Sequence, residues 1–321
     1  MASECLMMAS ASIEAVGLSK SYGAFVALSN LNLKLEGSKC VGFLGPNGAG
    51  KTTTLKIFTE LIRPSQGRAL INGTDVHKDK KKALANCGTL VETPEIYPAL
   101  TPRTALMMVA ELRGIPKDER KRRIEESITE VMMEEWIDKR VGKFSKGMKQ
   151  RIDIASAILD DPDIVILDEP TNGLDPRGMS EVRGIVKSLK KKGKLIFMSS
   201  HLLSEVTEIC DDVAMIDHGK LLVYDSLANV SSRFASSGEI IEVTLARPSD
   251  AKLMDRISTL QGVTSVSSPD PLNYRIGIKG GVETRERLLG DLVAMNVGVI
   301  GFQEASLALE DAYLNLIKDT K

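Results

Sequence analysis

The stretch Gly45-Pro46-Asn47-Gly48-Ala49-Gly50-Lys51-Thr52-Thr53 has the chemistry of a phosphate cradle, and its first eight residues fit GxxxxGK[ST] at every fixed position. Glycines let a loop curl until successive backbone N–H groups face one anion, and a helix N-terminus behind them adds about half a positive charge. Lys51 then reaches the β/γ-phosphates of a bound nucleotide, and the Thr52 hydroxyl holds Mg²⁺. A second group of reactive residues lies 117 positions after Lys51, where the apolar run Ile164-Val165-Ile166-Leu167 ends in Asp168 and Glu169. Behind such a cradle, Asp168 supports Mg²⁺ and Glu169 orients and deprotonates the attacking water. A third stretch, Phe144-Ser145-Lys146-Gly147-Met148-Lys149-Gln150-Arg151, begins 24 residues before Asp168. Ser145 is a good helix N-cap, and Met148, Ile152, Ala155 and Leu159 recur at helical spacing. Ser145 and Gly147 therefore offer a hydroxyl and N–H groups at a second helix N-terminus. One nucleotide hardly needs two such sites on one subunit. The economical arrangement sets each against phosphates held by another copy, in an ATP-dependent head-to-tail dimer.

These residues need elements to hold them. Cys40 to Leu44 is apolar and ends at Gly45, like a buried strand entering a tight turn, and a helix should follow from about Lys51. Residues 11 to 35 read as strands, with Leu31, Leu33 and Leu35 alternating with Asn32 and Lys34. Asn72-Gly73 after Ile71 signals a hairpin. Thr101 to Lys139 turns helical and charged, and 193–198 and 213–216 read as further buried strands. Strands alternating with helices imply an α/β core with a largely parallel sheet.

Residues 231–238, small and polar, read as a linker. Beyond it Ile241, Val243 and Leu245 alternate. A helix is expected near 251–260, then two strands flanking Ser268-Pro269-Asp270-Pro271, a helix over 283–295, a strand over 297–302 and a final helix. That β-α-β-β-α-β order predicts a small α+β, ferredoxin-like unit over 239–321.

The chain of 321 residues has 42 basic against 43 acidic side chains, 43% hydrophobic residues and 26% charged residues. This is globular composition, not that of a disordered or fibrous chain. A formal net charge of -1 gives no global argument for nucleic acid, and none is expected as a partner. Cys5, Cys40, Cys87 and Cys210 form no CxxC pair, which suits a reducing cytosol better than a zinc site or disulfide scaffold. No apolar run approaches the roughly 20 residues of a spanning helix, and the first dozen residues lack the basic start of an export signal.

In the order of its motifs the sequence resembles the ATP-binding cassette (ABC) ATPases from residue 13 to about 230. Ser145 to Gln150 resembles the family signature, Asp168 and Glu169 its Walker B pair, and Gly173-Leu174-Asp175 its D-loop, so Asp175 joins the nucleotide-site residues. Tyr22 sits where the family stacks an aromatic on adenine. Glu92 occupies the Q-loop position, where it is a candidate metal residue or one facing a membrane partner. His201, 32 residues after Glu169, falls at the switch histidine that steadies the γ-phosphate. Two departures stand out: FSKGM replaces the commoner LSGGQ, placing an extra charge at Lys146, and Glu92 replaces the usual glutamine.

The resemblance implies a P-loop NTPase of ABC type over 13–230, with a helical insertion at about 91–143, preceded by a short extension over 1–12. It implies ATP and Mg²⁺ as ligands, and hydrolysis at a homo- or heterodimer interface coupled to transport, with an exporter-type signature. The partners would be transmembrane permease subunits. The chain would lie in the cytoplasm, peripheral on the cytoplasmic face of the cell membrane. The insertion, with a rigid turn at Pro94, Tyr97 and Pro98 before the Met-rich segment around Leu106, Met107, Met108, Val109 and Leu112, would carry the permease contact. Phe144 follows Lys51 by 93 positions with no sustained heptads between, unlike the coiled-coil DNA-repair relatives. The competing reading is a soluble ABC-type ATPase of an assembly or regulatory complex, with 239–321 recruiting its target.

Overall fold

Strand β1 (Ser12–Tyr22) pairs antiparallel with β2 (Phe25–Glu36), where Leu31, Leu33 and Leu35 are buried and Asn32 and Lys34 are exposed. The two-residue alternation thus lays one face of β2 on a core. β4 (Gln66–Ile71) pairs with the other edge of β1 and turns through Asn72 and Gly73, at φ 49° and 72°, into the short β5 (Thr74–Asp75). Such a pair of positive φ values is what a tight hairpin demands. The computed structural model describes residues 11–92, 96–230, 239–248 and 252–304. The expected linker at 231–238, the expected final helix beyond 304, residues 1–10 of the expected extension and Pro94 lie outside them.

The second sheet grows from largely buried, mainly apolar strands. These are β3 (Cys40–Leu44), β6 (Cys87–Leu90), β7 (Ile164–Leu167), β8 (Leu195–Ser200) and β9 (Asp212–Asp217), with β10 (Lys220–Ser226) beside β9. Their order is β10-β9-β3-β8-β7-β6, and the pairs from β9 to β6 are parallel. Parallel strands bury both faces, which is why these segments are apolar runs rather than alternations. Helix α1 (Lys51–Phe58) follows β3, and α2 (Lys80–Leu84) precedes β6. Phe197 of β8 packs against Phe43 and Phe58, with ring centroids 5.3 and 6.2 Å away. One core joins the two sheets, from Ile13 and Leu31 to Phe43, Ile166 and Ile216.

The insertion contains α3 (Pro102–Leu112) and α4 (Lys117–Glu130). Thr101 caps α3 by accepting the Thr104 N–H at 3.3 Å, with Pro102 at the first helical position. Two short 3₁₀ turns lead to α5 (Lys146–Ala157); α6 (Pro176–Lys191) and α7 (Leu203–Ile209) complete this part. On α5, burial pushes the Asp153 carboxyl up to about 7, with the Lys149 charge pulling the other way. A carboxyl whose value is raised by folding binds its proton more tightly in the native state. Its contribution to stability therefore declines as pH rises from the ordinary aspartate range to about 7. Asp153→Asn should flatten this dependence and raise the urea midpoint at pH 8. An unchanged slope between pH 5 and 8 in the variant would refute the assignment.

The chain divides into two compact units between Asp225 and Ser226. In the second, β11 (Glu239–Leu245), α8 (Leu253–Ser258), β12 (Val263–Asp270), β13 (Asn273–Ile278), α9 (Gly281–Ala294) and β14 (Val299–Glu304) follow one another. They build an antiparallel sheet of order β12-β13-β11-β14. Ile241, Val243, Leu245, Ile276 and Ile278 pack with Leu253, Ile257, Leu288 and Leu292 of the two helices. One expectation is corrected here. Ser268, Pro269 and Asp270 belong to β12 and do not form its following turn, which is Pro271-Leu272. Asp270 tightens that turn by accepting the N–H groups of Leu272 and Asn273 at 2.9 and 3.0 Å. Pro269 is tolerated because β12 is an edge strand.

Candidate active site

The loop between β3 and α1 owes its shape to close packing. A Cβ on Gly45 would collide with the Ile216 carbonyl of β9. Gly50 adopts φ 106°, and a Cβ there would stand 2.7 Å from the Ala27 carbonyl, so glycine alone fits without strain. The Ala49 N–H bonds the Pro46 carbonyl at 3.2 Å, and the Ala49 carbonyl accepts the Gly219 N–H at 3.0 Å. Asn47 and Gly48 form the exposed rim, and Thr53 is half-buried on the first turn of α1. No side chain caps α1, which leaves its first N–H groups to face an anion. Lys51 is 4% exposed. Its Nζ donates to the carbonyls of Gly45 and Pro46 at 2.8 and 3.1 Å and lies 3.5 Å from Glu169 Oε1.

The parallel register brings the carboxylates to this loop. Leu167 pairs with Met198, so Asp168 and Ser199 come next, side by side. Asp168 Oδ1 accepts from Thr52 Oγ1 at 3.2 Å and from Ser199 Oγ at 2.5 Å. Ser199 Oγ in turn accepts the Glu169 N–H at 2.9 Å. Glu169 has left-handed backbone, φ 43°. Its Oε2 accepts from Asn172 Nδ2 at 2.9 Å and lies 3.2 Å from His201 Nδ1. Lys51, Thr52, Asp168, Glu169 and His201, drawn from three separate segments, thus form one bonded cluster. The Thr52 hydroxyl beside the Asp168 carboxylate is a hard-oxygen pair that fits Mg²⁺, an ion usually held by one or two carboxylates plus substrate phosphates. Among the described residues no three His, Cys, Asp or Glu side chains gather as an all-protein cage.

Ser145, Gly147 and Asp175 gather at the N-termini of α5 and α6. Ser145 caps α5 through the Met148 N–H at 3.2 Å, and Asp175 caps α6 through the Gly178 N–H at 3.0 Å. Gly147 is buried, and a Cβ on it would stand 3.4 Å from Gly178 Cα. Lys146 reaches over Gly173 of its own chain. Tyr22, at the end of β1, is 50% exposed, with Lys20 Nζ 4.9 Å from its ring centroid. The Glu92 side chain is exposed and ion-paired with Lys56 of α1, so its charge is engaged outside the Thr52–Asp168 pair. Sequence reasoning missed Ser199 and Asn172. The signal for Ser199 was a hydroxyl at the point where the apolar run of β8 ends; Asn172 offered none beyond nearness to Glu169.

The family model described as ABC transporter matches residues 28–172. The bacitracin transport ATP-binding protein BcrA of Bacillus licheniformis is 44% identical over 211 residues, covering 65% of this chain and 68% of that protein. An uncharacterized ABC transporter ATP-binding protein of Bacillus subtilis, YhcH, is 32% identical over 315 residues, covering 96% and 97%. A solved ATP-binding subunit of an ABC transporter matches with a TM-score of 0.62 at 30% identity, covering 70% of this chain and 93% of that one. The fold is that of an ABC-type P-loop ATPase. The chain belongs to the ATP-binding proteins of the ABC transporter family.

Proposed function

We propose that two copies of this chain, or this chain and a similar ATPase subunit, bind two Mg-ATP head to tail, and that their closing and opening drives export through separate permease subunits. The observation that carries this reading is the bonded cluster around Glu169, which combines a phosphate-binding lysine, a base and a histidine. Loop amides and Lys51 hold the β/γ-phosphates, Tyr22 stacks on adenine, and Thr52 and Asp168 provide the metal ligands. Mg²⁺, when bound there, neutralises charge on the phosphates. Glu169 takes a proton from the attacking water, and His201 steadies the γ-phosphate. Ser145, Gly147 and Asp175 close on the nucleotide held by the other copy. Hydrolysis removes the anionic bridge, and the difference in affinity between closed and open states supplies the work. Glu92, engaged with Lys56, is assigned to communication with the permease and not to metal.

Transport is supported by BcrA, named for bacitracin transport, and by an apolar surface on the insertion. There Tyr97 is 74% and Leu112 87% exposed, with Met108 also open to solvent. No helix among the described residues is long and apolar enough to cross a membrane. In this reading the permease subunits hold the chain peripherally on the cytoplasmic face of the membrane. Gentle solubilisation of the native host's membranes should recover the chain together with a polytopic membrane protein. Leu112→Asp should lose that partner while the ATPase rate of the isolated chain stays unchanged. Recovery only from the soluble fraction, with a soluble partner, would replace transport by an assembly role.

A further inference from the structure

Glu205 is a carboxylate on α7 that the mechanism above leaves unused, although it is only 2% exposed. Both its oxygens are bonded. Oε2 accepts from Ser200 Oγ at 2.8 Å, and Oε1 accepts from Thr171 Oγ1. Ser200 Oγ also accepts the Leu202 N–H at 2.9 Å, which ties the hydroxyl to its own loop. The two hydroxyl residues are not arbitrary. Ser200 immediately precedes His201, and Thr171 immediately precedes Asn172. His201 and Asn172 are the two side chains that meet on Glu169 Oε2, at 3.2 and 2.9 Å. Two loops far apart in sequence are thus pinned twice, once to Glu205 behind the site and once to Glu169 within it.

We propose that Glu205 is a positioning residue for ATP hydrolysis: by holding Thr171 and Ser200 on one buried carboxylate, it sets the spacing at which Asn172 and His201 orient Glu169. The inference rests on the reading of Glu169 as base and His201 as its neighbour at the γ-phosphate. The carboxyl group is planar and rigid, so the distance between the two hydroxyls it accepts is narrowly set. The loops cannot separate without stranding a buried carboxylate oxygen, which would carry its full desolvation cost. Glu205 touches neither nucleotide nor water in this scheme. It acts through the main chain adjoining the two groups that do the orienting. Misplacement of catalytic groups by about 1 Å can cost on the order of 100-fold in rate.

The test is steady-state ATP hydrolysis by the full chain, with nucleotide affinity measured separately using trinitrophenyl-ATP. Glu205→Ala should lower kcat about 10- to 100-fold while KM and affinity stay within about twofold. Glu205→Gln should recover most of the rate, because an amide still spans the gap, accepting from one hydroxyl and donating to the other. Thr171→Val and Ser200→Ala should each slow turnover, and their combination should cost no more than Glu205→Ala, as expected for groups acting through one partner. His201→Ala is measured in parallel. If it and Glu169→Gln retain full activity, the reading of the site fails. If they lose activity while Glu205→Ala keeps its kcat, the inference about Glu205 fails. A loss of affinity matching the loss of kcat, or no rescue by Glu205→Gln, also overturns it in favour of a merely structural role. Should Glu205→Ala not fold, a wild-type kcat in the Thr171→Val, Ser200→Ala double variant is the decisive contrary result.

Discussion

Glu169→Gln should slow ATP turnover by about 10²–10⁴-fold, the range of a lost general base, while MgATP still binds. The geometry explains why so small a change is so costly. Oε2 is occupied by Asn172 and His201, which fix the plane of the carboxyl group. Oε1, 3.5 Å from Lys51 Nζ, faces the cradle and is the oxygen left to receive a proton. An amide has the same shape and can still accept the bond from Asn172, so the loop keeps its conformation. It has no basic oxygen of comparable strength. With binding intact and hydrolysis slowed, the closed dimer should accumulate in MgATP and run as a dimer on gel filtration. Wild-type turnover in the variant would show that Glu169 is not the base.

Lys51→Ala should weaken MgATP binding by about 10- to 100-fold, since a hydrogen bond to a charged group contributes about 1.5–3 kcal/mol. Lys51 does more than add charge to the loop. Buried beneath it, Nζ gathers the carbonyls of Gly45 and Pro46 and so pins the start of the loop. Alanine removes the donor from both carbonyls and the counter-charge from Glu169. The cradle therefore loses shape and potential together. Isothermal titration gives the affinity directly. A thermal scan gives it independently, because ligand stabilisation scales with RT ln(1 + [L]/Kd) and should largely vanish. Equal affinity in the variant and the parent would remove Lys51 from the phosphate site.

How much of this was legible depended on how local the cause was. The cradle could be read because β3, the loop and α1 are contiguous, and because glycines at 45 and 50 answer to constraints of the backbone itself. Asn72-Gly73 could be read for the same reason. The ends of α5 and α6 were half legible: Ser145 announced a cap by its type, whereas Asp175 entered only through family resemblance and is seen to cap α6 as well. The Ser199 bridge was illegible. It arises only when β8 lies beside β7 in a particular register, bringing a hydroxyl to a carboxylate 31 positions earlier. Glu205 was hidden for a similar reason, since its partners lie 34 and 5 residues away on different loops. The turn at Pro271 was misplaced because two prolines compete for it by type, and only the edge position of β12 decides between them.

The left-handed backbone at Glu169 carries a cost that the fold would escape with another residue. A non-glycine held in that region is destabilised by about 1–3 kcal/mol unless its surroundings enforce it. Here they do, through the Ser199 bond to its N–H and the Asn172 N–H on its carbonyl. Glycine would sit at φ 43° with less strain but would remove the proposed base. Position 169 is therefore a point where durability and turnover pull in opposite directions. Variants selected for heat resistance alone would be drawn to discard the residue we propose as the base.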